Sequence, residues 1–186
     1  MHLAKSPAQW DPAKLAWVNG QYMKQADDGR LAVLLSAQLA ARGIAGTVPS
    51  GPGAAEVAQG RAVQGVDLVA ASALFKDRCA TVVELVDWVQ MMFVDVQPSA
   101  EDLATHVTEP VKPALRALRG RLAEVEWRKP TIALAMKETL AAHALKMPQL
   151  APAVRVLVCG RAQTPSIDAV LALFPREKVL ARLGRV

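Results

Sequence analysis

Helix-start signals recur along this chain, and each one is followed by apolar residues at helical spacing. Asp11-Pro12, Lys129-Pro130 and Thr164-Pro165 each place a proline where a helix can begin, because the first turn tolerates its missing N–H and its fixed φ already suits the helix. Thr81 and Ser99 supply hydroxyls that can cap further helices. No alternating segment with a partner strand and a hairpin turn competes with this pattern. We therefore expect an all-α fold.

The apolar residues are of the kind that packed helices use. They make up 52% of the 186 residues, alanine, leucine and valine dominate them, and aromatic residues contribute only 4%. Alanine and leucine lose little conformational freedom on entering a helix. A chain of this length can form one domain or two small ones, and its clearest boundary is Gln97-Pro98-Ser99. We expect two small helical bundles in tandem, at residues 1–97 and 98–186.

Three segments are less regular than the rest. Residues 43–53 carry several glycines and prolines and are expected to form a loop. Pro148 and Pro152 are expected to interrupt the helical pattern, and the β-branched run from Val154 to Val158 fits either a buried strand or a helix. Farther on, residues 169–183 show a helical apolar pattern.

Positive charge is concentrated in the second part of the chain. Residues 1–110 contain 8 Lys and Arg against 12 Asp and Glu, whereas residues 111–186 contain 14 against 5, for a net charge of +5. A basic segment of this kind favours contact with a polyanion. The alternative is a surface rich in lysine and arginine that only keeps the chain in solution.

The sequence offers no catalytic or metal-binding constellation. Cys79 and Cys159 fit no zinc or CxxC spacing and are expected to be small core residues in a reducing compartment, and His2, His106 and His143 are isolated from one another. No apolar run approaches the roughly 20 residues that span a bilayer, and the N-terminus lacks the plan of a signal peptide. We expect a cytoplasmic protein with no membrane contact.

The turn at Gly160 is a candidate binding site because Arg155 and Arg161 flank it. Thr164 is expected to cap a helix that starts at Pro165. The unpaired N–H groups of a helix start and the rigid donor fork of arginine suit an anion or the edge of a nucleobase.

A second arginine-bearing turn is expected at Asp77-Arg78. It follows one predicted helix and precedes the helix capped by Thr81. Arg78 either forms a local ion pair with Asp77 or reaches outward to read a base edge. The residues alone leave both alternatives open.

Three motifs, taken in their order along the chain, resemble a known family. They are the run from Ser6 to Asn19, the run from Asp77 to Glu84, and a set formed by Leu145-Lys146, Arg155-Val156, Gly160 and Thr164-Pro165-Ser166-Ile167. Over nearly its full length the chain is similar to the C-terminal anticodon-binding region of bacterial glutamyl-tRNA synthetases, which are class I aminoacyl-tRNA synthetases. This resemblance implies that both subdomains are helical cages.

The resemblance also implies roles for individual residues. Arg78 matches the arginine that reads the third anticodon base, which favours discrimination of tRNA(Glu) from tRNA(Gln). Arg161 and Lys146 are candidate phosphate contacts, although no family role attaches to Arg161. Four residues match positions that surround the first and second anticodon bases: Arg155, Thr164, Pro165 and Ile167.

The partner that the resemblance implies is tRNA(Glu), to which the full enzyme attaches glutamate with ATP and Mg²⁺. The nucleotide-binding motifs of the family do not occur in these residues, so we expect this chain alone to be inactive and to hold no cofactor. It is expected to be a monomer, either a fragment of the enzyme or a free-standing tRNA-binding protein. The competing hypothesis is a helical protein-interaction module whose apolar surface docks a partner protein.

Overall fold

The computed structural model describes residues 11–44 and 63–186. Within them every regular segment is helical, apart from one isolated bridge between Val63 and Val66. The all-α prediction is confirmed, while most of the predicted loop at residues 43–53 lies outside the described residues. The helices are α1 (Pro12–Gln25), α2 (Asp28–Ala41), α3 (Leu68–Phe75), α4 (Val82–Val89), α5 (Ala100–His106), α6 (Lys112–Glu124), α7 (Lys129–Ala142), α8 (Met147–Cys159), α9 (Ile167–Leu173) and α10 (Arg176–Leu183), with 3₁₀ turns at Lys76–Arg78 and Gln90–Met92.

The local helix-start signals act as predicted at α1 and α5. The carboxylate of Asp11 accepts hydrogen bonds from the N–H groups of Ala13 at 2.9 Å and Lys14 at 3.2 Å. The Ser99 hydroxyl accepts from the N–H of Asp102 at 3.0 Å. These side chains satisfy N–H groups that have no partner inside the helix, so both helices begin where the sequence places them.

The expectation that Pro148 and Pro152 interrupt the helix is wrong. Pro148 lies in the first turn of α8, where proline is tolerated, and Pro152 lies inside the helix. The run from Val154 to Val158 is helical, which removes the strand alternative. Eight residues of α8 are buried, and burying each large apolar side chain contributes about 1.5–3 kcal/mol. That burial outweighs the roughly 3 kcal/mol cost of an internal proline.

The expectation that Thr164 caps a helix starting at Pro165 is also wrong. α9 begins two residues later, at Ile167. The Thr164 hydroxyl is engaged elsewhere, because it accepts a hydrogen bond from Arg155 and donates one to the Pro165 carbonyl. The helical pattern at residues 169–183 is divided between α9 and α10, since the chain leaves the helix before Pro175.

One apolar core runs through the described helices. α2 packs on α3 and α4, α6 packs on α7 and α10, and α5 packs on α8. α9 contacts α7 and α8 but also α3, so the apolar cluster of the first four helices continues into that of the last six. The division into bundles at residues 1–97 and 98–186 therefore stays a prediction.

Both cysteines are buried and free, as expected of small core residues. Burial raises the pKa of the Cys159 thiol to about 12. The pKa of the Cys79 thiol rises to about 11, chiefly through burial, and the carboxylates of Glu84 and Asp87 add to the effect. Both thiols are protonated at neutral pH, so neither serves as a nucleophile.

Candidate nucleic-acid interface

The end of α8 and the loop after it bring Arg155 and Thr164 together. Arg155 lies about one turn before the end of α8, and its Nε donates a hydrogen bond to Thr164 Oγ1 at 3.1 Å. The two terminal nitrogens of Arg155 have no hydrogen-bond partner among the described residues, and the residue is only half-buried. The guanidinium is thus fixed at Nε while its Nη edge remains available to a ligand.

The two apolar residues predicted at this site are its buried neighbours. Pro165 is buried, and Ile167 is 4% exposed and belongs to the apolar core. The structure therefore brings all four predicted residues into one segment. Arg155 and Thr164 form its accessible polar pair, whereas Pro165 and Ile167 hold the segment against the core.

Gly160 shapes the turn between Arg155 and Thr164. Its φ of +70° lies in the left-handed region, which glycine enters without steric cost. A Cβ placed on it would lie 3.0 Å from Cβ of Val96, in the segment that connects the first four helices to α5. Backbone conformation and close packing therefore both require glycine at this position.

The two predicted phosphate contacts lie in different surroundings. Lys146, just before α8, is exposed, and its amine pairs with no described acidic group. The guanidinium carbon of Arg161 instead lies 4.3 Å from the centroid of the Trp88 ring. Its Nη2 donates a long hydrogen bond of 3.4 Å to the Asp87 carbonyl. Lys146 is open to an anion, while Arg161 is engaged within the protein.

Arg78 lies in the 3₁₀ turn between α3 and α4. Lys76 anchors this turn, because its amine is 2.7 Å from the Asp28 carboxylate. Arg78 is exposed and lines a shallow groove together with Trp17 of α1. Across the described part of the chain it forms no ion pair with Asp77. Its guanidinium is therefore available for a ligand.

The structure does not join the two arginine-bearing turns directly. Between described residues, no hydrogen bond or ion pair links Arg78 to Arg155 or Thr164. The interpretation of Arg78 as the opposite wall of one anticodon pocket stays a prediction.

Several basic side chains in the second half of the chain bind backbone carbonyls of the protein itself. A count of charges in the sequence does not show this. Arg182 is only 2% exposed, and its guanidinium donates to backbone carbonyls. The basic residues that donate in this way are Arg119, Arg161, Arg176, Lys178, Arg182 and Arg185. Exposed basic side chains that pair with no described residue are Arg116, Lys129, Lys137 and Lys146. The charge available to a polyanion is therefore smaller than the sequence suggests.

The described residues offer hydrogen bonds and charge rather than metal coordination. Residues 11–44 and 63–186 contain no group of three or more His, Cys, Asp or Glu side chains placed to hold a metal ion. Among the helices of these two ranges, none has the length and apolarity that a bilayer crossing requires.

The described residues form an all-α fold that carries an arginine fixed at its Nε and several exposed lysines, and these features suit contact with a nucleic acid. The family model described as "Anticodon binding domain" matches residues 32–186. The chain belongs to this family.

Its relatives are longer proteins. The chain is 53% identical over 188 aligned positions to the glutamate–tRNA ligase of Leptothrix cholodnii, and the alignment covers 100% of this chain and 36% of that ligase. It is 50% identical to the glutamate–tRNA ligase of a Polaromonas species, over 98% of this chain and 36% of that protein. The chain thus spans about a third of these relatives and corresponds to their C-terminal part, which confirms the resemblance.

A solved structure shows the same fold. The glutamate tRNA ligase of Elizabethkingia meningosepticum, crystallised with its amino acid, superposes with a TM-score of 0.78. The match covers 97% of this chain and 33% of that one, at 14% sequence identity. At this identity the likeness supports the fold alone.

Proposed function

We propose that this chain recognises the anticodon of tRNA(Glu) as the C-terminal part of a discriminating glutamate–tRNA ligase. The whole enzyme attaches glutamate to this tRNA with ATP and Mg²⁺, in the cytoplasm and as a monomer. Its relatives carry the name glutamate–tRNA ligase, and about two-thirds of their length lies outside the part that this chain matches. Catalysis therefore belongs to the portion outside these residues, and this chain supplies selectivity.

The observation that carries the proposal is the fixed guanidinium of Arg155. A hydrogen bond from its Nε to Thr164 sets the orientation of the guanidinium plane, and no described residue occupies the Nη1–Nη2 edge, which is left to donate. Two parallel N–H donors match paired acceptors on a base edge. Pro165 and Ile167, buried beside this pair, keep it in place, so the four residues act together on the first two anticodon bases.

Arg155→Ala is expected to weaken binding of a tRNA(Glu) transcript by about tenfold, because a bidentate base contact is worth about 1–3 kcal/mol. The residue is only half-buried, so the helical signal in circular dichroism should melt at nearly the same temperature. Fluorescence anisotropy with labelled transcript measures the dissociation constant.

Arg116→Ala is the matched control, since Arg116 is exposed on α6 and pairs with no described residue. It should weaken binding to transcripts with the Glu anticodon and with an altered anticodon by the same factor. If Arg155→Ala also weakens both transcripts equally, Arg155 does not read the anticodon. Loss of the helical melt would make its role structural.

For Arg78 we propose recognition of the third anticodon base, with Lys146 contacting a phosphate. The exposed position of Arg78 on an anchored turn supports this proposal, as does the groove that it shares with Trp17. The exposed amine of Lys146 suits a phosphate, because lysine acts as a mobile point charge rather than a fork.

Arg78→Gln, made in the ligase that carries this segment, is expected to reduce the preference for tRNA(Glu) over tRNA(Gln) by about tenfold. The guanidinium is lost, while glutamine accepts and donates to several bases. The ratio of kcat/KM for the two transcripts measures the change. An unchanged ratio shows that Arg78 has no part in discrimination, whereas equal loss for both transcripts makes it a general contact.

The alternative function is docking of a partner protein. It is favoured by an open groove between α1, α2 and the start of α4, where Tyr22 and Leu34 are exposed. A docking module would bind tRNA weakly and without dependence on the anticodon, so the comparison of transcripts described above also separates these two functions.

A further inference from the structure

Arg161 completes a stack of side chains that connects two distant parts of the chain. The rings of Phe75 and Trp88 are stacked at 5.4 Å with an interplanar angle of 19°. Phe75 is fully buried at the end of α3. Arg161 lies on Trp88, with its guanidinium carbon 4.3 Å from the ring centroid. Contacts through Phe75, Trp88 and Arg161 thus connect the core to the loop after α8.

The charge of Arg161 is not neutralised by the acidic residue beside it. The Asp87 carboxylate is occupied by Arg42, whose Nη1 lies 2.6 Å from Oδ1. Among the described residues, the hydrogen bond of Arg161 goes to the Asp87 carbonyl, at 3.4 Å. Stacking on Trp88 is therefore its main contact, and planar guanidinium suits an aromatic face better than a lysine amine does.

Arg161 lies in the loop that carries Thr164, so its contact with Trp88 bears on the position of that loop. Arg161 directly follows Gly160, which packs on Val96, and it precedes the Thr164 that fixes Arg155. The loop at residues 160–166 lies between α8 and α9 and contains no helix of its own. Its tie to α4 of the first half is the stack on Trp88 together with the Asp87 carbonyl.

We infer that Arg161 is a positioning residue, which holds the loop at residues 160–166 against Trp88 so that Thr164 stays in place to orient the Arg155 fork. This inference rests on the anticodon recognition proposed above and replaces the predicted phosphate contact for Arg161. To bind a phosphate, the guanidinium of Arg161 would have to move off the Trp88 ring, or else donate from the edge of its plane while it still contacts the ring.

The two roles differ in their dependence on salt. A residue that contacts a phosphate releases counterions, so its removal lowers the slope of log Kd against log salt by about one. A positioning residue leaves the slope unchanged. We expect Arg161→Ala to weaken binding of the tRNA(Glu) transcript about three- to tenfold with the slope of the wild-type chain, measured between about 50 and 200 mM KCl.

Changes at Trp88 test the same contact from the other side. Trp88→Leu should weaken binding as much as Arg161→Ala does, and the double variant should be no weaker than either single one. Trp88→Phe keeps an aromatic face and should bind within about twofold of wild type. Lys146→Ala is the control for a phosphate contact, and it should lower the salt slope by about one.

The inference is overturned if Arg161→Ala lowers the slope of log Kd against log salt. It is also overturned if the losses of affinity from Arg161→Ala and Trp88→Leu add in the double variant. A measurement without RNA separates this failure from failure of the proposed function. The Arg155 Nε–H signal in ¹⁵N NMR, protected by its bond to Thr164, should exchange faster with water in both Arg161→Ala and Trp88→Leu. Unchanged exchange overturns the inference even if anticodon recognition stands. Equal binding of cognate and altered transcripts overturns anticodon recognition, while faster exchange still supports positioning by Arg161.

Discussion

Arg182→Met is expected to lower the free energy of unfolding by about 3–5 kcal/mol, because three backbone carbonyls lose their donor and each such loss costs about 1–3 kcal/mol. Arg182 is 2% exposed. Its Nη1 donates to the Met91 carbonyl at 2.9 Å and to the Val158 carbonyl, and its Nη2 donates to the Val94 carbonyl at 2.6 Å. Methionine fills a similar length but leaves these oxygens without a donor.

The size of this effect follows from where the carbonyls lie. They belong to the end of α8 and to the segment before α5, and α10 brings Arg182 between them. A buried carbonyl without a donor costs about 1–3 kcal/mol. Removing the guanidinium also removes its own desolvation cost, which lowers the pKa of Arg182, so the net loss stays below the sum of three bare carbonyls.

Urea unfolding followed by circular dichroism measures this change, and Arg185→Met is the matched control. Arg185 donates to the Val96 carbonyl at 3.0 Å and to the Asp95 carboxylate at 2.5 Å, but its side chain is 37% exposed. Exposed pairs contribute about 0–1 kcal/mol. If both substitutions cost the same small amount, water replaces Arg182 at the carbonyls and the guanidinium does not hold α10 in place.

The parts of the fold that depend on neighbours in sequence could be predicted. Asp11 and Ser99 cap helices within three residues of themselves, so the signal is local. The continuation of α8 through Pro152 could not be predicted from neighbouring residues. It depends on the packing of the buried face of α8 in the core. The sequence also does not show that Thr164 fails to cap a helix. Its hydroxyl instead accepts a hydrogen bond from Arg155, nine positions earlier in the chain.

The candidate site likewise has parts that the sequence predicts and parts that it does not. Residue chemistry indicates that Arg155 is near a turn, and the family resemblance supplies a role for it and for Arg78. Neither source indicates that Arg161 lies on Trp88 or that Arg182 is buried, because most of these contacts join residues far apart in the chain. Arg161 and Asp87 are 74 positions apart, and Arg182 and Met91 are 91 positions apart. A sequence counts basic residues but does not separate those facing solvent from those binding backbone carbonyls.

Gly160→Ala is expected to lower the free energy of unfolding by about 2–5 kcal/mol. Two physical terms contribute. A left-handed φ costs a residue with a Cβ about 1–2 kcal/mol, and Gly160 has a φ of +70°. The new methyl group would also lie 3.0 Å from Cβ of Val96, and overpacking of this kind costs about 1–3 kcal/mol. Urea unfolding of the chain measures the total.

Two other glycines separate these terms. Gly43 has a φ of +67°, and no described residue beyond its chain neighbours lies within 4 Å of the position of a Cβ, so Gly43→Ala should show the backbone cost alone, about 1–2 kcal/mol. Gly120 lies inside α6, and apart from its neighbours in that helix none of the residues that the structure describes lies within 4 Å of the position of a Cβ there. Gly120→Ala should therefore stabilise the chain by about 0.5–1 kcal/mol. Adding Val96→Ala to Gly160→Ala should recover the packing cost. Equal losses for Gly160→Ala and Gly43→Ala mean that Val96 yields without cost, in which case packing at Val96 does not fix the turn that carries Thr164.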